Sequence, residues 1–108
     1  MAGDYTPREV ADLLERQDVQ LIDVRELDEW QAGRIAGAIH IPLGELVERA
    51  GEVARDGPVV FYCRSGSRSA MATEAFAAAG HDAHNMSGGL LEWDADGLPL
   101  EPDDGRVA

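Results

Sequence analysis

The run Pro58-Val59-Val60-Phe61-Tyr62 is apolar along its length. It breaks at once into a small polar turn, Cys63-Arg64-Ser65-Gly66-Ser67-Arg68, followed by the alanine-rich stretch Ala70–Ala79. A strand with no polar alternation has both faces covered, as in the interior of a parallel sheet. Val19-Gln20-Leu21-Ile22-Asp23-Val24 is a second run of this kind, and Ala38–Ile41, closed by Pro42, and Asp82–Met86 read as two more strands. Helical stretches lie between them. Thr6-Pro7-Arg8-Glu9 is a capping box with proline at the first helical position, and Val10, Leu13 and Leu14 follow at helical spacing. Glu26–Gln31 reads as a short helix ending near Gly33. Leu43, Leu46, Val47, Ala50, Val53 and Ala54 share one helical face, which predicts an amphipathic helix over 43–55. Arg68–Ala79 reads as a helix stopped by Gly80, and Leu90–Trp93 as a short one after Gly88-Gly89. Strands alternating with helices predict an α/β fold: a central parallel sheet of about five short strands, with helices on both faces. A chain of 108 residues suits one domain, here 1–108, with a core over 6–97. The proline- and aspartate-bearing segment 98–108 reads as a loose acidic tail.

Charge narrows the function classes. The formal net charge is −12, and all nine basic residues are arginines. Nucleic acid and anionic membrane surfaces both call for basic patches, so neither is an expected partner. The absence of lysine excludes Schiff-base chemistry and P-loop phosphate binding. One cysteine forms no internal disulfide, and the first residues lack the basic-then-apolar order of a signal peptide, so a cytoplasmic location is expected. His40, His81 and His84 lack metal-ligand spacing, and neither a metal nor a cofactor is expected.

Chemistry concentrates at Cys63. A cysteine at a strand-to-helix turn faces backbone N–H groups and the positive end of a helix dipole. Arg64 and Arg68 flank it. Each factor favours the thiolate, which is the nucleophile. The turn reads as a thiolate cradle that also attracts a small anion. Gly66 relieves backbone strain where the turn is sharp. Ser65 and Ser67 either donate hydroxyl hydrogen bonds or cap the next helix, and Arg68 either binds the anion or is held by a carboxylate as a strut.

Three segments carry a family likeness. Leu21-Ile22-Asp23-Val24-Arg25-Glu26 with Glu29-Trp30-Gln31-Ala32-Gly33-Arg34-Ile35-Ala36-Gly37-Ala38-Ile39-His40-Ile41-Pro42-Leu43 resembles the N-terminal signature of rhodanese-like sulfurtransferases. Val60–Ala70 resembles their active-site loop, and Gly88-Gly89-Leu90-Leu91-Glu92-Trp93 their later double-glycine and tryptophan motif. The resemblance implies that Cys63 accepts a sulfane sulfur as a persulfide and passes it to a nucleophile. It implies that the amides of Arg64, Ser65, Gly66, Ser67 and Arg68 surround that sulfur. The small anionic donor would be of the thiosulfate type, and the acceptor cyanide, a thiol or a carrier protein. Asp23 and Arg25 match an Asp-Val-Arg element read as structural support, with Glu29 as their ion-pair partner or a surface charge, and Trp93 is read as a pocket rim. Arg34 stands where the family often carries histidine.

Two other functions fit a cysteine loop. One is a sulfur-relay module serving a partner protein. The other is a cysteine-dependent phosphatase or arsenate reductase, whose loop is one residue longer. Here the arginine lies five positions after the cysteine, which favours sulfur over phosphorus.

Overall fold

The computed structural model describes residues 3–108. Its centre is a four-stranded sheet in the order β2-β1-β3-β4, formed by β1 (Gln20–Asp23), β2 (Ile39–His40), β3 (Pro58–Tyr62) and β4 (Asp82–Asn85). Every pairing is parallel. The expected fold is therefore present, with four strands rather than about five. At the β4 edge Tyr5 makes a single parallel bridge to Met86, held by Tyr5 N–H to Asn85 O at 2.9 Å and Ser87 N–H to Tyr5 O at 2.9 Å. Proline at position 7 starts a helix immediately afterwards, so this bridge does not extend into a fifth strand.

The side chains of β3 alternate between two cores, as a pleated strand requires. Val59 and Phe61 join Cys63, Ile22, Ala72 and Phe76 on one face, while Val60 and Tyr62 join Leu21, Val10, Leu90 and Trp93 on the other. α3 (Ser67–Ala78) covers the first face; α1 (Pro7–Glu15) and α4 (Gly89–Ala95) cover the second. The Thr6 capping box forms as expected, with Glu9 N–H to Thr6 Oγ1 at 3.2 Å and Thr6 N–H to Glu9 Oε1 at 2.9 Å. α2 (Leu27–Ala32) follows β1 directly. No helix of the described residues is long and apolar enough to cross a membrane.

Two expectations are corrected. Residues 43–55 form no continuous helix but two single 3-10 turns, Leu43–Glu45 and Ala50–Glu52. Gly44 and Gly51 each cost a helix about 1 kcal/mol relative to alanine. Leu46 and Val53 still reach the core and Leu43 and Ala50 pack against it, but Val47 is 88% exposed. Segment 98–108 is packed rather than loose. Leu98, Leu100 and Val107 lie against the second core. Glu101 pairs with Arg34 through two backbone hydrogen bonds of 2.8 and 2.9 Å, and Arg106 N–H reaches Ala32 O at 2.9 Å. Gly33 makes this close approach possible, since the Arg106 backbone fills the space a Cβ would occupy.

Candidate active site

Cys63 follows the last residue of β3, at the carboxyl end of the sheet where α/β crevices form. Its residue surface is 0% exposed. The Gly66 amide donates to Sγ at 3.0 Å and the Ser69 hydroxyl donates at 3.3 Å. Burial pushes the thiol up, but the Ser69 hydroxyl and the amides of Ser69, Gly66 and Ser65 outweigh it and hold the thiol below its ordinary value. The loop thus favours a thiolate by directed N–H and O–H donors. Ser69 was not singled out from sequence as a sulfur partner. The available signal was its place as the third residue of α3, on the turn nearest the sulfur. Ser65 and Ser67 are exposed.

The turn depends on glycine. Gly66 stands before α3 with φ of 108°, in the left-handed region that only glycine enters freely. Gly89 has φ of 62°, and a Cβ there would lie 2.5 Å from Arg64 O and 2.7 Å from Cys63 O. The start of α4 presses on the loop: Leu90 N–H donates to Cys63 O at 2.9 Å and Leu91 N–H to Arg64 O at 3.0 Å.

Neither arginine donates a hydrogen bond to the sulfur. Arg68 makes a two-pronged ion pair with Glu29, Nη1 to Oε1 at 2.8 Å and Nη2 to Oε2 at 2.9 Å. Arg64 Nε donates to the main-chain oxygen of Ala108 at 2.9 Å. The Arg68 pair thus ties α3 to α2, and Glu29 Oε1 also accepts from Glu26 N–H at 3.0 Å, within α2's own N-terminal cap. This pair with Arg68 lowers the Glu29 carboxyl from 4.5 to about 2 against the opposing effect of burial. The stabilisation is complete above pH 4.5 and fades as pH falls towards 2. We expect Glu29→Gln to lower the melting temperature at neutral pH, and the gap from the parent protein to close as pH falls through this range. A gap independent of pH would show that the ion pair contributes nothing.

Beneath the loop, Asp23 and Arg25 are both 0% exposed. Arg25 Nη2 donates to Asp23 Oδ2 at 2.7 Å and to Gly33 O at 2.7 Å, and Nε donates to both carboxylate oxygens at 3.0 Å. The Arg25 guanidinium lies 5.7 Å from the Tyr62 ring centroid. His40 Nε2 meets Arg25 O at 2.7 Å, and its ring stacks on Trp30 at 4.9 Å. The pair therefore ties the ends of β1 and β2 to the turn at Gly33. Arg34 lies over the Trp30 ring at 5.1 Å, a cation–π contact. Trp93 sits in the second core with Nε1 donating to Pro99 O at 2.8 Å. It lines a groove of about 690 Å³ between α1 and the C-terminal segment, whose lining residues include none of the loop 63–68.

A thiol cupped by amides where a parallel strand turns into a helix defines a thiolate-loop α/β protein. The family described as Rhodanese-like domain matches residues 6–96, and the chain belongs to that family. A sulfurtransferase of Allochromatium vinosum is 35% identical over 94 residues, covering 86% of this chain and 88% of its own length. An HTH-type transcriptional regulator of Mycobacterium tuberculosis is 42% identical over 97 residues; the match covers 84% of this chain but only 42% of the regulator. The crystal structure of a rhodanese-related protein from Thermoplasma volcanium superposes with a TM-score of 0.84 at 30% identity, covering 90% of this chain and 95% of that one. Family and relatives together support sulfur transfer as the general activity.

Proposed function

We propose that this chain is a rhodanese-type sulfurtransferase that carries sulfane sulfur on Cys63 from a small anionic donor such as thiosulfate to a thiophilic acceptor such as cyanide or a thiol. The observation that carries the reading is the Cys63 sulfur, buried yet supplied with donors from Gly66 and Ser69. In the first step the Cys63 thiolate attacks the outer sulfur of thiosulfate. A cysteine–sulfur bond forms, the bond inside thiosulfate breaks, and sulfite leaves with the electron pair. In the second step cyanide attacks the outer sulfur of the persulfide, thiocyanate departs, and the Cys63 thiolate is restored. The amides that hold the thiolate also stabilise the persulfide anion. Cys63 is the only cysteine, so no resolving thiol in this chain collapses the persulfide to an internal disulfide.

Arg68 acts in this reading as a strut, because both of its terminal nitrogens are engaged by Glu29. That geometry also favours sulfur over a phosphoryl group, which requires an arginine turned into the loop to hold its oxygens. A relay role uses the same persulfide with a partner protein's thiol as acceptor. Kinetics with thiosulfate and cyanide varied together provide the test. We expect parallel lines in double-reciprocal plots, the mark of double displacement. Intersecting lines would show that donor and acceptor bind together and would overturn the relay through Cys63.

A further inference from the structure

Asn85 is the last residue of β4 and is 7% exposed. Its place is fixed by the sheet, where it pairs with Phe61, and by Tyr5 N–H donating to its carbonyl at 2.9 Å. Its Nδ2 reaches Gly66 O at 3.2 Å. Gly66 O accepts only, so the nitrogen of the amide faces it. The same carbonyl accepts the Ala70 N–H at 3.0 Å, which starts the bonding of α3. The other end of Gly66, its N–H, is the donor to Cys63 Sγ at 3.0 Å. A glycine has little intrinsic preference for one φ, and Gly66 stands at 108°. Its N–H keeps its aim because the residue is held from outside the loop, by Ala70 N–H in α3 on one side and from β4 on the other. Asn85 supplies that hold from the rigid strand. The amide does so at a cost, because Asn85 Oδ1 is buried with no partner among the described residues. A leucine would avoid that cost but would leave Gly66 O unheld from this side.

We infer that Asn85 is a positioning residue for the sulfur-carrying loop, clamping Gly66 O so that the Gly66 N–H stays directed at Cys63. The inference rests on the proposed role of Cys63 for its consequence in sulfur transfer, though the clamp itself is measurable without any sulfur donor. The Gly66 N–H is one of the donors that hold the thiol below its ordinary value, after the Ser69 hydroxyl and amide, so loosening Gly66 raises it.

The test is the pH dependence of thiol alkylation for the parent protein, Asn85→Leu and Asn85→Ala. The leucine keeps the branched shape with somewhat larger volume and the alanine truncates it, and both delete the Nδ2 donor. Val10→Ala, a cavity variant in the core on the other face of the sheet, is the control for general destabilisation. We expect the midpoint to rise in both Asn85 variants, with alkylation below the midpoint slowed up to about threefold, and no change in Val10→Ala. A folded Asn85 variant with the parent midpoint, or an equal rise in Val10→Ala, would overturn the assignment. The parent protein gives a second readout that needs no variant: the Asn85 side-chain amide signals in NMR should exchange slowly and shift as Cys63 titrates. Rapid exchange with no shift would also overturn it. Alkylation involves no donor, so loss of the clamp and failure of the sulfurtransferase reading give separate results.

Discussion

Cys63→Ser should abolish sulfur transfer and leave the fold intact. The proposed reaction stores sulfur on one atom, and the chain has no second thiol to substitute for it. A serine hydroxyl neither ionises near neutral pH nor forms a persulfide, so no residual route remains. The fold tolerates the change because the hydroxyl occupies nearly the same volume and meets the same partners, Gly66 N–H and Ser69 Oγ. Circular dichroism and melting should match the parent closely while turnover with thiosulfate and cyanide falls to background. Turnover retained by a folded Cys63→Ser protein would place the chemistry elsewhere.

Asp23→Ala should produce a large loss of stability. It leaves the Arg25 guanidinium, which has no exposed surface, without its counter-ion. Breaking a buried pair from one side costs about 3–5 kcal/mol. A domain of this size is stable by about 5–15 kcal/mol in total, so the melting temperature should fall by at least about 12 °C. The double variant Asp23→Leu with Arg25→Met removes both charges and should recover much of that loss. Thermal melts of the two variants decide the matter. Equal destabilisation by both would mean that packing, rather than the orphaned charge, carries the effect. Arg25 also holds Gly33 O and, through its own carbonyl, His40. A second expectation is therefore loosening of the loops at the carboxyl ends of β1 and β2.

What was legible in the sequence follows the physics of each signal. The apolar run at 58–62 and the largely apolar run at 19–24 marked interior parallel strands because burial on both faces leaves little polar alternation. The Thr6–Glu9 capping box marked the start of α1 because it is a local hydrogen-bond pattern. The stretch 43–55 misled because helical spacing alone does not register Gly44 and Gly51, or the absence of a surface to cover Val47. The last segment misled because its prolines and acids conceal Leu98, Leu100 and Val107, and because the close approach of Arg106 depends on a glycine more than sixty residues earlier, Gly33. At the site, Cys63 and its loop were legible as a motif. The partners were not. Arg68 meets Glu29 from another helix, and Asn85 meets Gly66 from another strand. Both contacts are set by the sheet order β2-β1-β3-β4, which spacing along the chain does not encode.

The most direct measurement of the central claim is the mass of the intact protein after exposure to thiosulfate alone, followed by removal of the donor. The account predicts one added sulfur atom, located on Cys63 by peptide mapping, stable until cyanide or a thiol is added and then lost. A protein that gains no sulfur under conditions where it turns over donor and acceptor together, or gains it at any residue other than Cys63, would contradict it.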